Sequence, residues 1–99
     1  MPKRVLLATQ DLLFRSKLGA VITTAGGEVV RDPAGCDLAV VDVEIPGAMD
    51  RIRGLVASGT PVLAYGSHVL VDLLRAAREA GAIAVPNSEI EGRLRATSW

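Results

Sequence analysis

Cysteine is nearly missing from this chain. Cys36 stands alone, so no internal disulfide can form, and no CxxC or His/Cys cluster supplies the ligand set of a structural zinc site. Aromatic residues are just as scarce, and Tyr65 and Trp99 are too isolated along the sequence to suggest a base-stacking platform. An excess of either charge is absent too: eleven basic residues balance eleven acidic ones, and neither sign forms a long block. No broad field therefore draws the chain to nucleic acid or to an anionic membrane. Long apolar runs are missing as well. The opening MPKRVLLATQD returns to polar residues too soon for a signal-peptide core or a membrane span. A cytoplasmic protein in a reducing environment is the expectation.

Several catalytic signatures are also absent. There is no GxSxG elbow to present Ser67 as a nucleophile, sequence neighbours such as Ser67 and His68 rarely aim at each other, and His68 has no ligand-spaced partners. Gly26 and Gly27 form a helix stop, with no GxGxxG and no Walker lysine to cradle a phosphate.

What remains is a chain of 99 residues, 49% hydrophobic, which suits one domain spanning residues 1–99. Val5 to Ala8 reads as a strand buried on both faces. Phe14, Leu18, Val21, Ile22 and Ala25 recur at helical spacing, ending at the glycine pair. Glu28 to Arg31 is a brief second strand, Asp32 to Asp37 a turn around Pro33 and Gly35, and Leu38 to Asp42 a third strand. Met49, Ile52 and Val56 mark a helix ending near Gly59, and Pro61 opens a strand that runs to Tyr65. Leu70, Leu73, Leu74 and Ala77 line the next helix, which stops at Gly81, and Ile83 to Val85 is the last strand. Ser88 with Glu91 fits a capping box that starts the final helix. This alternation predicts a doubly wound α/β domain with a parallel sheet.

DLAVVDVEIPG, residues 37–47, is similar to the third strand and following loop of the receiver domains of bacterial two-component response regulators. TPVLAYGS resembles their fourth strand, LLRAAREAGA their fourth helix, and RVLLATQDLLFR their opening strand and first helix. The resemblance implies a flavodoxin-like, five-stranded sheet of order 2-1-3-4-5, with Asp42 at the carboxyl edge where such folds place their sites.

The resemblance also implies a phosphoacceptor role for Asp42, and the neighbouring positions test it. Receivers hold magnesium with an acidic pair after the first strand, but that pair reads Thr9 and Gln10 here. Asp11 stands one place later, where it suits the cap of the first helix. The hydroxyl expected after the fourth strand falls on Gly66, with Ser67 next to it, and Ser67 suits the cap of the following helix. The lysine expected before a proline after the fifth strand is absent from AVPNSEI, and Ile83, Ala84 and Val85 offer no aromatic switch. Asp42 is thus the candidate phosphoacceptor, Ser67 the candidate phosphoryl contact, and Asp11, Asp42 and Glu44 the candidate metal ligands. Magnesium is implied only if phosphorylation occurs, and no other cofactor is expected.

The resemblance departs most between the second and third strands, where no room exists for the usual helix. Six extended residues reach at most about 20 Å, while parallel crossovers commonly use a dozen or more. Its loss should leave Val5, Leu7, Val29 or Val30 near solvent, and such a patch would be covered by a second copy or another protein. The leading expectation is a degenerate receiver-like signalling or scaffold module, not an enzyme, acting through protein–protein contact. The alternatives are a phosphoacceptor in a phosphorelay and a small-ligand binder at the edge near Thr9, Asp42, Gly66 and Ser67.

Overall fold

The computed structural model describes residues 2–99. The elements run β1 (Arg4–Ala8), α1 (Leu12–Thr24), β2 (Glu28–Val30), β3 (Leu38–Asp42), α2 (Ala48–Ala57), β4 (Val62–Gly66), α3 (Val71–Glu79), β5 (Ile83–Pro86) and α4 (Asn87–Arg95). All pairings are parallel, and the five strands lie in the order β2-β1-β3-β4-β5. The expected flavodoxin-like architecture, including the missing helix between β2 and β3, is the one observed.

Each helix covers the sheet face that its apolar stripe dictates. Leu18, Val21 and Ile22 of α1 and Ile90 and Leu94 of α4 pack with Val5, Leu7, Val40 and Tyr65. On the opposite face Ile52 and Leu55 of α2 and Leu74 and Ala77 of α3 pack with Leu6, Ala8, Val41 and Ala64. A parallel sheet covered on both sides requires strands apolar at every position, which explains the unbroken runs VLLA and LAVV.

The short connection from β2 to β3 closes because β2 is only three residues long. Val30, its last residue, lies level with Leu6, and β3 begins with Leu38 level with Val5. The chain therefore steps back by one rung while crossing β1, a lateral distance of about 10 Å that an extended loop spans with ease. The loop is built from local turns: Ala34 N–H donates to Asp32 Oδ1 at 2.9 Å, and Cys36 N–H reaches Pro33 O across Gly35, whose φ is 74°. Asp37 then clamps β1 from both sides, donating its N–H to Arg4 O at 2.7 Å and accepting Arg4 N–H on Oδ2 at 2.8 Å.

Three expectations are corrected here. Val5, Leu7 and Val30 are all buried, and of the four valine and leucine positions only Val29 on the edge strand is exposed. Val5 and Leu7 face α1 and never depended on the missing helix, while Cys36 from the loop and Ile45 pack onto the cluster that holds Leu6, Ala8 and Val30. The capping box at Ser88 and Glu91 does not form. Pro86, with φ −66° and ψ 161°, passes directly from β5 into α4, so Ser88 lies inside the helix and no side chain caps it. Ser67 is likewise no helix cap, because α3 begins only at Val71.

The far edge of the sheet is partly closed by a long side chain. Arg78 crosses from α3 to β5, where Nε and Nη2 donate to Ala84 O at 3.1 and 2.8 Å. A carbonyl on an edge strand is thereby removed from pairing with another chain.

Candidate functional site

Register places the site residues along the carboxyl edge. Ala8 pairs with Val41, so the chain beyond them brings Thr9 beside Asp42, and Asp42 itself lies level with Tyr65 on β4. Asp42 is half-buried, and both of its carboxylate oxygens are occupied. Oδ1 accepts Glu44 N–H at 2.9 Å, and Oδ2 accepts the Thr9 hydroxyl at 3.4 Å. The first contact is an Asx turn that shapes the β3–α2 loop; the second is long and correspondingly weak.

Thr9, the buried polar residue of the core, links this carboxylate to the start of α1. Its Oγ1 accepts Asp11 N–H at 3.2 Å. Asp11 in turn caps α1, its Oδ1 accepting the N–H groups of Leu13 and Phe14 at 2.9 and 3.2 Å. The cap satisfies two of the free amides at the helix start and sets a carboxylate at its positive end. Arg15, one turn on, folds back so that Nη2 donates to Thr9 O.

Tyr65 lies beneath this network, 1% exposed, with its hydroxyl unpaired. Thr9 is near enough to assist a tyrosinate, but its hydroxyl is engaged with Asp42 and the Asp11 amide, which leaves Tyr65 Oη without a bond. Burial pushes the Tyr65 hydroxyl up to about 12; Thr9 opposes that shift, the Asp42 and Asp11 carboxylates add to it, and Arg15 opposes it. The Tyr65 ring packs against Phe14 with centroids 5.2 Å apart.

The sequence-predicted ligands do not converge. Among the described residues, no three His, Cys, Asp or Glu side chains gather closely enough to hold a metal ion. Asp11 is occupied as a cap, Glu44 is exposed, and only Asp42 lies at the strand end. Ser67 Oγ accepts Val69 N–H at 3.4 Å, so it shapes its own turn, and His68 is exposed.

Gly66 shows most directly how this edge differs from the expected one. A Cβ built there would stand 2.5 Å from Val43 Cγ2. Val43 is buried, held by its N–H bond to Tyr65 O at 2.9 Å. An apolar side chain thus occupies the space beside Asp42 that a residue larger than glycine would need. Neither Val43 nor Tyr65 was singled out by sequence reasoning as part of this edge; their positions, one directly after Asp42 and the other directly before Gly66, were the available signals.

No protein-family model matches the chain, and no curated protein matches it. Solved structures do. A protein from Chloroflexus aurantiacus described as a response regulator superposes with a TM-score of 0.76 at 22% identity, covering 95% of this chain and 92% of that one. Chemotaxis protein CheY4 of Vibrio cholerae gives 0.74 at 17% identity, with 95% and 93% covered. The beryllofluoride-activated NtrC4 receiver domain dimer gives 0.74 at 19% identity, with 93% and 89% covered. The chain therefore has the receiver fold over nearly its whole length. Among the described residues no helix is long and apolar enough to cross a membrane.

Proposed function

We propose that this chain is a receiver-fold signalling or scaffold module that acts by binding other proteins, or a second copy of itself, and is not efficiently phosphorylated. The observation that supports this reading is the packing of Val43 against Gly66. Phosphoryl transfer to a carboxylate needs the charge on the transferring oxygens neutralised by groups already in place. At this edge a valine fills the space where the receiver resemblance calls for a hydroxyl, and Thr9 and Gln10 replace an acidic pair that could hold magnesium. Asp42 then serves as a polar anchor that turns the β3–α2 loop. The NtrC4 neighbour, described as a dimer, illustrates self-association on this fold.

A phosphoacceptor reading keeps one observation in its favour: Asp42 is half-buried at the carboxyl end of a central strand. Intact mass after incubation with acetyl phosphate and magnesium separates the two. No mass gain is expected in the native chain or in Asp42→Asn. Gain of one phosphoryl group in the native chain, lost in the variant, would overturn the proposal.

A further inference from the structure

Where no helix joins β2 to β3, a cleft of about 580 Å³ lies at the carboxyl edge, bounded by the ends of β1 and β2, the β3–α2 loop and the first turns of α1 and α2. That lies within the range of about 300–1,000 Å³ typical of small-ligand pockets. It also opens at the point where strand order reverses between β1 and its two neighbours, the place where open parallel sheets receive ligands.

The charged residues lining the cleft are all arginines: Arg15 from α1, Arg31 from the end of β2 and Arg51 from α2. Arg15 is anchored by its bond to Thr9 O and keeps further N–H donors. Arg31 and Arg51 are exposed, and among the described residues neither is in a salt bridge. Like charges brought to one concave site repel each other unless an anion joins them. The planar forks of guanidinium groups match phosphate oxygens in pairs. Beside them the wall is apolar, formed by Ala8, Leu12, Ile45 and Pro46. Leu12 is 79% exposed, so it has almost no packing partner within the chain.

We propose that this cleft binds a small organic phosphate, its phosphoryl oxygens held by Arg15, Arg31 and Arg51 and its carbon skeleton laid on Leu12, Ile45 and Pro46. Asp42 itself does not line the cleft, but Thr9 and Gln10 do, and the Thr9 hydroxyl donates to Asp42 Oδ2, so the cleft adjoins the Asp42 edge.

The test is titration of the ¹⁵N-labelled protein with adenosine monophosphate, adenosine and inorganic pyrophosphate, read as amide shift changes. The nucleotide is expected to move the amides of residues 6–12, 31, 45 and 47–51, with affinity about tenfold above that of the uncharged nucleoside. Arg31→Gln with Arg51→Gln should weaken it about tenfold again, while Arg53→Gln, on the same helix as Arg51 but outside the cleft, should leave it unchanged. The substituted side chains are exposed, and the spectrum of each free variant reports directly that it is folded. Absence of shifts with millimolar nucleotide and pyrophosphate would overturn the proposal. So would shifts mapping elsewhere, or binding indifferent to the double substitution. Pyrophosphate binding as tightly as the nucleotide would overturn the role given to the apolar wall.

Discussion

Val43 and Gly66 are neighbours across the β3–β4 edge, and a Cβ added to the glycine would lie 2.5 Å from Val43 Cγ2. Non-bonded carbons settle near 3.5–4.0 Å, and a branched side chain in a close-packed core has little freedom to retreat. Gly66→Ala is therefore expected to destabilise the fold by about 1–3 kcal/mol, read as a lower urea midpoint. Val43→Ala removes the obstructing methyl groups, so the double variant should be less destabilised than the two single changes predict together. Strict additivity in that cycle would mean that the two positions do not compete for the same space.

Tyr65 carries a buried hydroxyl with no partner, and its proton is held more tightly in the folded state than in the unfolded one. The folded pKa of about 12 lies above the ordinary 10.0, so the unfolded chain binds fewer protons between those values and stability falls as pH rises through that window. Below pH 10 the difference vanishes. Tyr65→Phe should flatten this alkaline loss relative to the native chain. It should also raise stability at neutral pH by on the order of 1 kcal/mol, because an unsatisfied buried group is removed while the ring stays packed on Phe14. Parallel thermal melts of both proteins from pH 8 to 11 check each part.

The strands and helices were legible because their residues carry local signals: charged or polar residues bracketing VLLA and LAVV, and apolar stripes at three and four residue spacing in α1 and α3. The Asp11 cap was legible for the same reason, since its acceptor and donors are two and three residues apart. Ser67 and Ser88 misled because a cap depends on where the backbone turns helical, and Leu70 and Pro86 set those points instead. The expected bare patch failed on a question of face. Whether Val5 and Leu7 or Leu6 and Ala8 lie under the missing helix depends on the three-dimensional register, which a two-sided apolar strand does not disclose. The arginine cluster was invisible for a related reason, since Arg15, Arg31 and Arg51 meet only through the sheet order.

Asp11 is the cleanest place to separate capping from metal binding. Asp11→Ala should cost about 1 kcal/mol through loss of the bonds to Leu13 and Phe14 N–H, whereas Asp11→Asn, a competent cap, should cost far less. Magnesium chloride should leave the urea midpoints of the native chain and both variants where sodium chloride of equal ionic strength leaves them. A magnesium-specific stabilisation lost in both variants would instead make the carboxylate a ligand.

Asp37 tests how the chain manages without its helix. Its amide and carboxylate both bond the backbone of Arg4, so one residue fixes the end of the β2–β3 loop against β1. The carboxylate accepts a backbone N–H in an exposed position, where water competes, so Asp37→Ala should cost about 1 kcal/mol and Asp37→Asn less. The global figure matters less than where the loss is felt. Glu28, Val29 and Val30 pair only with β1, on the open edge of the sheet, and the loop is their second tether. If the clamp holds that edge, hydrogen exchange in Asp37→Ala should quicken at residues 28–38 while the β3–β4 amides keep their protection. Uniform acceleration across all strands would mean that β2 and its loop unfold only with the whole domain, and that core packing of Val30 and Cys36 secures the edge without help from Asp37.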